Sequence, residues 1–267
     1  MEQEFWQARW RENRIGFHEA APNSLLTRHF PRLGLRSGQS VFVPLCGKAL
    51  DLDWLLSQGL RVAGVEFNQG AVEEVFARLR LDPEVTRQGG LTRYRDGELT
   101  LYSGDFFALT PAELGPVDAI YDRAALVAVK PEDRAAYAAH LNRITGTARQ
   151  FLIGFDYDQS LMQGPPFSVP GAMVQELYGG SFSLDLLESG PADGPMAQRV
   201  NAQEEIWSSV KDEVEQVTAH APAIGRWLLP PCGLRHRAGV SPKCPEGERY
   251  CGVRVWTQGL DEYARKL

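Results

Sequence analysis

The sequence predicts an α/β protein built on a doubly wound, mostly parallel sheet. Five short apolar runs of strand length alternate with segments whose apolar residues recur three and four apart, the pattern of strand, helix, strand. Right-handed crossovers make the strands of such a pattern parallel. Polar residues then gather at the carboxyl ends of the runs, where open α/β sheets bind their ligands.

The elements follow in order. The run "SVFVPL" leads into Gly47, and "KALDLDWLLSQG" continues as a helix with Leu50, Trp54 and Leu55 on one face and Gly59 at its end. "RVAGVEF" is a second buried strand, and "NQGAVEEVFARLRL" a second helix presenting Val72, Val75, Phe76 and Leu79. In "GLTRYRDGELTLYSGDFF", Asp96-Gly97 between two alternating stretches predicts a hairpin whose second arm becomes the third strand. "PVDAIYDRAAL" supplies the fourth strand, "PEDRAAYAAHLNRI" a helix with Pro131 in its first turn, and "RQFLIGFDYD" the fifth strand. "VPGAMVQELYGG" predicts a further helix. "SFSLDLLES" and "EEIWSSV" predict a closing hairpin at one sheet edge, with Glu205 to Val210 as its last strand. The Gly/Pro-rich stretch "SGPADGPMAQRVNAQ" between them reads as a flexible insertion.

Composition excludes several classes. With 267 residues, 43% hydrophobic and 23% charged, the chain can bury one sizeable core, or one core plus an appendage. Its net charge of −6 and scattered arginines leave no electrostatic footprint for nucleic acid. No apolar run has signal-peptide or membrane-spanning length, so a soluble, cytoplasmic monomer that binds neither nucleic acid nor membrane is expected. Of four cysteines, Cys46 stands alone and three come late, which is no disulfide framework.

The carboxyl ends of the first four strands carry Leu45, Cys46 and Gly47; Glu66; Asp105 with Phe106 behind it; and Asp122 and Arg123. Glu66 follows Gly47 by nineteen residues, close to the spacing at which a carboxylate accepts hydrogen bonds from ribose hydroxyls. A dinucleotide loop would need two further glycines to approach a pyrophosphate. Only Gly47 is present, followed by Lys48 and Ala49, which argues against a nicotinamide oxidoreductase. S-adenosyl-L-methionine has an adenosine but no pyrophosphate, and its methionine carboxylate needs a cation, a role that suits Arg123.

Several strings in one order carry a resemblance: "FWQARWRENRIGFHE" (5–19), "PLCGK" (44–48), "GVE" (64–66), "YDRAAL" (121–126) and "YDQSLMQGPPFSVP" (157–170). Over roughly the first 190 to 210 residues the chain resembles the bacterial form of the thiopurine S-methyltransferase family. The resemblance implies the seven-stranded sheet of class I S-adenosylmethionine-dependent methyltransferases over residues 1–210, with an N-terminal lid over about 1–35. It implies that Trp10 covers the cofactor, that Leu45 and Gly47 line its pocket, that Glu66 holds the ribose and that Arg123 reaches the methionine end; Phe106, by its place on the rim, is a further cofactor-binding candidate. Phe17, Pro165, Pro166 and Phe167 would lie over the acceptor, a small-molecule thiol or a selenium or tellurium species. An S-adenosylmethionine-binding protein without turnover is the alternative.

Methyl transfer from a sulfonium is an in-line displacement, so alignment and exclusion of water are the main tasks. No metal and no covalent intermediate are required. Acidic aromatic thiols are substantially ionised near neutral pH, and Asp122 and His18 are candidates for a proton relay. Structural readings compete: Trp6 and Trp10, four apart, also suit helix packing, Cys46 suits a small buried side chain, and His18 suits a solvated loop. From Lys211 the remaining 57 residues depart from the family pattern and read as a loop-rich extension. Cys232, His236, Cys244 and Cys251 there lack the C-x-x-C spacing of a zinc site.

Overall fold

The computed structural model describes residues 3–211. The C-terminal extension beyond Lys211, with Cys232, His236, Cys244 and Cys251, lies outside the described residues. The strands are β1 (Ser40–Val43), β2 (Arg61–Glu66), β3 (Glu84–Gln88), β4 (Leu91–Asp96), β5 (Leu99–Ser103), β6 (Ala119–Arg123), β7 (Arg149–Asp156), β8 (Phe182–Pro191) and β9 (Gln203–Lys211). The helices are α1 (Gln3–Arg11), α2 (Ser24–His29), α3 (Leu50–Ser57), α4 (Gln69–Leu79), α5 (Pro111–Leu114), α6 (Arg134–Thr145), α7 (Gly171–Tyr178) and α8 (Pro195–Val200).

One sheet of nine strands has the order β3-β4-β5-β2-β1-β6-β7-β9-β8. β1 pairs in parallel with β2 on one side and β6 on the other, and β2–β5 and β6–β7 are parallel too. Winding therefore reverses between β1 and β6, which makes the carboxyl rim there a topological switch point. β9 runs antiparallel between β7 and β8. The expected seven strands are present, and the count of nine comes from β3 and β4, which extend the β5 edge.

β1 is buried at every position, as a central parallel strand covered on both faces should be. Its side chains alternate between two cores. Val41 and Val43 pack with Leu52, Leu55, Val72 and Phe76 of α3 and α4, while Phe42 packs with Tyr137 and Leu141 of α6 and Val174 of α7. α4 starts where the Asn68 side chain accepts from the Ala71 N–H, a cap that satisfies one of the free first-turn donors.

Two expectations need correction. On α3 the buried residues are Asp51, Leu52 and Leu55, whereas Leu50 and Trp54 are half-buried. Asp51 takes the inward position because two groups meet its carboxylate there: the Asn23 N–H at 2.7 Å and the Tyr121 hydroxyl at 3.0 Å. The stretch expected to be a flexible insertion is ordered into the end of β8 and into α8, because Ala197, Val200 and Ala202 bury themselves against Ala192 and Tyr157. Among the described residues, no helix is long and apolar enough to cross a membrane, and no group of three His, Cys, Asp or Glu side chains could hold a metal ion.

Candidate active site

At the switch point the chain leaves β1 through two left-handed residues, Leu45 (φ +45°) and Gly47 (φ +53°). Ala124, just past β6, is left-handed as well (φ +59°). Glycine adopts this conformation freely, but at Leu45 and Ala124 it costs about 1–2 kcal/mol each. Both residues line the same cavity, so the strain is concentrated at the ligand rim.

Glu66, at the end of β2, organises that rim. Its Oε2 accepts from the Gly47 N–H at 2.9 Å and its Oε1 from the Asn68 N–H at 2.7 Å, so one carboxylate clamps the turns that follow β1 and β2. Burial raises its pKa, and the N–H groups of Asn68, Gly47 and Phe67 pull it back. Each carboxylate oxygen keeps acceptor capacity for a further donor. Trp10 and Phe17 close the space from above: a Cβ on Gly47 would stand 3.7 Å from both rings. Trp10 and Phe17 meet edge to face at 5.5 Å, Trp6 and Phe17 at 6.0 Å, and the Lys48 ammonium lies 5.8 Å from the Trp10 ring.

The resulting cavity holds about 120 Å³ and gathers Trp10, Phe17, His18, Leu45, Glu66, Phe106 and Arg123. A carboxylate, aromatic rings and a guanidinium match the ribose, adenine and carboxylate of S-adenosylmethionine. Sites for ligands of that size usually hold about 300–1,000 Å³. Phe106 contributes from the wall, itself almost fully buried against Tyr137 and His140.

Arg123 is already engaged. Its Nη1 donates to the Phe17 carbonyl at 2.7 Å, and its Nη2 forms a short ion pair with Glu19. The guanidinium thus ties the segment carrying Phe17 and Glu19 to the end of β6. His18 presents a buried Nδ1 that has no hydrogen-bond partner among the described residues. Burial, then Lys48, Arg78 and Arg123, lower its pKa against an opposing effect of Glu74, so the imidazole is neutral near pH 7. Cys46 is buried, and burial followed by Glu66 pushes its thiol well up, which leaves it inert.

A second cavity of about 460 Å³ adjoins the first and shares Trp6, Phe17, Arg123, Ala124 and Ala128 with it. Pro165 and Pro166 line it. Phe167 lines a third cavity of about 340 Å³ beside Phe5, which shares Trp6, Ala128 and Pro165 with the second, and its N–H donates to the Val127 carbonyl at 2.7 Å. Asp122 lines none of these three cavities. It is fully buried, with Oδ1 accepting from the Leu126 N–H at 3.0 Å and Oδ2 from the Tyr137 hydroxyl at 2.7 Å. Its place in a relay is therefore replaced by a structural one, holding the turn that carries Ala124 and Ala128.

Sequence reasoning missed Arg9, Glu19, Phe155 and Glu204 in the second cavity. Phe155 was within reach, because it ends the fifth parallel strand. Glu204 begins an antiparallel strand, and its amino end reaches the same rim opposite Phe155.

The profile of the family described as Thiopurine S-methyltransferase (TPMT) matches residues 1–220. The thiopurine S-methyltransferase of Xanthobacter autotrophicus is 50% identical over 208 residues, covering 78% of this chain and 98% of that protein. That of Teredinibacter turnerae is 46% identical over 207 residues, covering 78% and 96%. Among solved structures, the Burkholderia thailandensis 1,6-didemethyltoxoflavin-N1-methyltransferase, with bound 1,6-didemethyltoxoflavin and S-adenosylhomocysteine, aligns with a TM-score of 0.54 at 16% identity, covering 79% of this chain and 87% of that one. An S-adenosylmethionine-dependent methyltransferase from Anabaena variabilis aligns at 0.52 with 15% identity, covering 78% and 94%. At such identities the likeness is one of fold. Half-identity over nearly the whole of a relative goes further, and the chain belongs to the thiopurine S-methyltransferase family.

Proposed function

We propose that the protein transfers a methyl group from S-adenosylmethionine to the sulfur of an aromatic or heteroaromatic thiol. That it is an S-adenosylmethionine-dependent methyltransferase follows from its family. The observation that carries the acceptor class is the second cavity, whose wall of Phe17, Val127, Phe155, Pro165 and Pro166 suits a flat ring and opens on the residues shared with the first.

When bound, S-adenosylmethionine supplies a methyl group on a positively charged sulfur. Glu66 receives the ribose hydroxyls, Arg123 the methionine carboxylate, and Trp10 and Phe17 close over both and exclude water. The shared residues put the acceptor sulfur against the methyl group. His18, neutral and with a free nitrogen, can take a proton from an acceptor that arrives as a thiol. The methyltransferase domain of this reading spans residues 1–210. A monomeric, cytoplasmic enzyme that detoxifies small molecules is the physiological form of this reading, with selenium and tellurium species as further acceptors.

The test is incubation with S-adenosylmethionine and thiophenol, a thiopurine, selenite or tellurite, with the methylated product measured by mass spectrometry. Binding without product on every acceptor would favour a non-catalytic role. Arg123→Ala is expected to weaken S-adenosylmethionine and S-adenosylhomocysteine alike by roughly tenfold to a hundredfold, since both keep the carboxylate. Arg123→Lys should restore this only in part, because an ammonium lacks the fork. Calorimetry with both ligands checks it, and a change in turnover alone would move Arg123 to the acceptor side.

A further inference from the structure

The second cavity has a polar end that a thiol reading alone does not use. Three carboxylates line it, Glu19, Asp193 and Glu204, against two guanidiniums, Arg9 and Arg123. Glu19 is paired with Arg123. Arg9, on α1, lies 4.8 Å from the Phe5 ring and 6.0 Å from the Trp6 ring, a cation–π arrangement on the lid side. Asp193 is exposed. Glu204 is half-buried, and the neutral side-chain amide of Asn23 lowers its pKa as it does that of Glu19. That amide is held in place, since its oxygen caps α2 by accepting from the Leu25 and Leu26 N–H groups. A carboxylate has about four acceptor positions, more than one shared amide can fill, and Glu204 lines the cavity with them.

Position supports this. Glu204 lies opposite Phe155, Ile153 lies beside Arg123, and all four residues line the cavity. A flat acceptor lying on Phe17, Pro165 and Pro166 would then turn one edge toward Arg123 and the cofactor and another toward Glu204. Heteroaromatic thiols of the thioamide type exist largely as thiones, with the proton on a ring nitrogen next to the C=S carbon. When such a sulfur is methylated, the proton that leaves comes from nitrogen.

Resting on the methyl-transfer reading above, we propose that Glu204 recognises the ring N–H of a thione-type heteroaromatic acceptor and takes up its proton as the sulfur is methylated. A lone pair of the acceptor sulfur forms the new S–CH₃ bond, and the bond from methyl to the sulfonium breaks with its electrons going to that sulfur, leaving S-adenosylhomocysteine. The acceptor now carries the positive charge, and the N–H bond breaks toward Glu204, giving a neutral S-methyl heterocycle and a carboxylic acid that returns its proton to water. The same carboxylates make small chalcogen anions such as hydroselenide poorer acceptors than a neutral thione. Burial raises the Glu204 pKa, Arg123 opposes this, and Glu19 and Asp193 add to it, which brings the group closer to the basicity a proton acceptor needs.

The test compares the full chain with its Glu204→Gln variant on 6-mercaptopurine, which has an N–H beside its C=S, on thiophenol, which has none, and on hydroselenide. Replacing a charged acceptor and proton base by a neutral amide, whose carbonyl can still accept the N–H but cannot take its proton, predicts a fall of about tenfold to a hundredfold in kcat/KM for 6-mercaptopurine. Thiophenol should stay within about threefold, which also shows that the variant folds. Calorimetric binding of 6-mercaptopurine to the protein saturated with S-adenosylhomocysteine should weaken by a similar factor, and hydroselenide should be methylated more readily by the variant. Equal losses on 6-mercaptopurine and thiophenol, or unchanged affinity for 6-mercaptopurine, would overturn the role of Glu204. If the unaltered protein methylates hydroselenide but neither sulfur acceptor, the thiol reading fails, and the calorimetric comparison still decides Glu204 by itself.

Discussion

Glu66→Ala is expected to weaken S-adenosylhomocysteine by about a hundredfold, since hydrogen bonds from ribose to a charged carboxylate are together worth about 3 kcal/mol. The same substitution removes the acceptor of the Gly47 and Asn68 N–H groups, so the fold should lose about 1–3 kcal/mol as well. Glu66→Gln keeps one carbonyl oxygen for these donors and should fall between the two in both respects. Calorimetry for affinity and denaturant titration for stability separate the effects. An unchanged affinity in a destabilised Glu66→Ala protein would make Glu66 a loop clamp with no part in binding.

Asp122 carries the second large effect. Burial raises its pKa from 3.8 to about 6, against hydrogen bonds from Tyr137 and Leu126 that lower it. A carboxyl whose folded pKa lies above its unfolded value is bound to a proton more firmly in the native state. Its stabilising contribution is complete below about pH 4 and is lost as pH rises through about 6, a change of about 3 kcal/mol. Asp122→Asn should flatten the stability profile over that window and match or exceed the unaltered protein at pH 7. Because Asp122 lines none of the three cavities, turnover on an aromatic thiol should stay within about threefold. An unchanged slope in denaturant midpoints between pH 4 and 6 would show that the side chain does not titrate there, and a large loss of turnover would return it to the reaction.

The parallel core and the residues at its carboxyl rim were legible in the sequence because strand direction follows from alternation with helices. Gly47, Glu66 and Arg123 all come from that rule. Asp122 went wrong for a local reason: successive strand residues face opposite sides, so a rim occupied by Arg123 excludes its neighbour. β3 was missed because an edge strand with Glu84 and Val85 exposed has no apolar face to signal it. The Arg123–Glu19 pair joins residues far apart in the chain, and no periodicity reports it. Glu204 escaped because only carboxyl ends were searched, whereas an antiparallel strand offers its amino end to the same rim.

The Arg123–Glu19 latch has a kinetic consequence. Glu66 holds its two turns through buried backbone donors, which dissolved ions reach poorly, whereas the Glu19 side chain is 40% exposed and its pairing is open to screening. Raising ionic strength should therefore loosen the Glu19 side of the latch, leaving the hydrogen bond to the Phe17 carbonyl and the Glu66 clamp as they are, and ligand residence time would shorten with added salt.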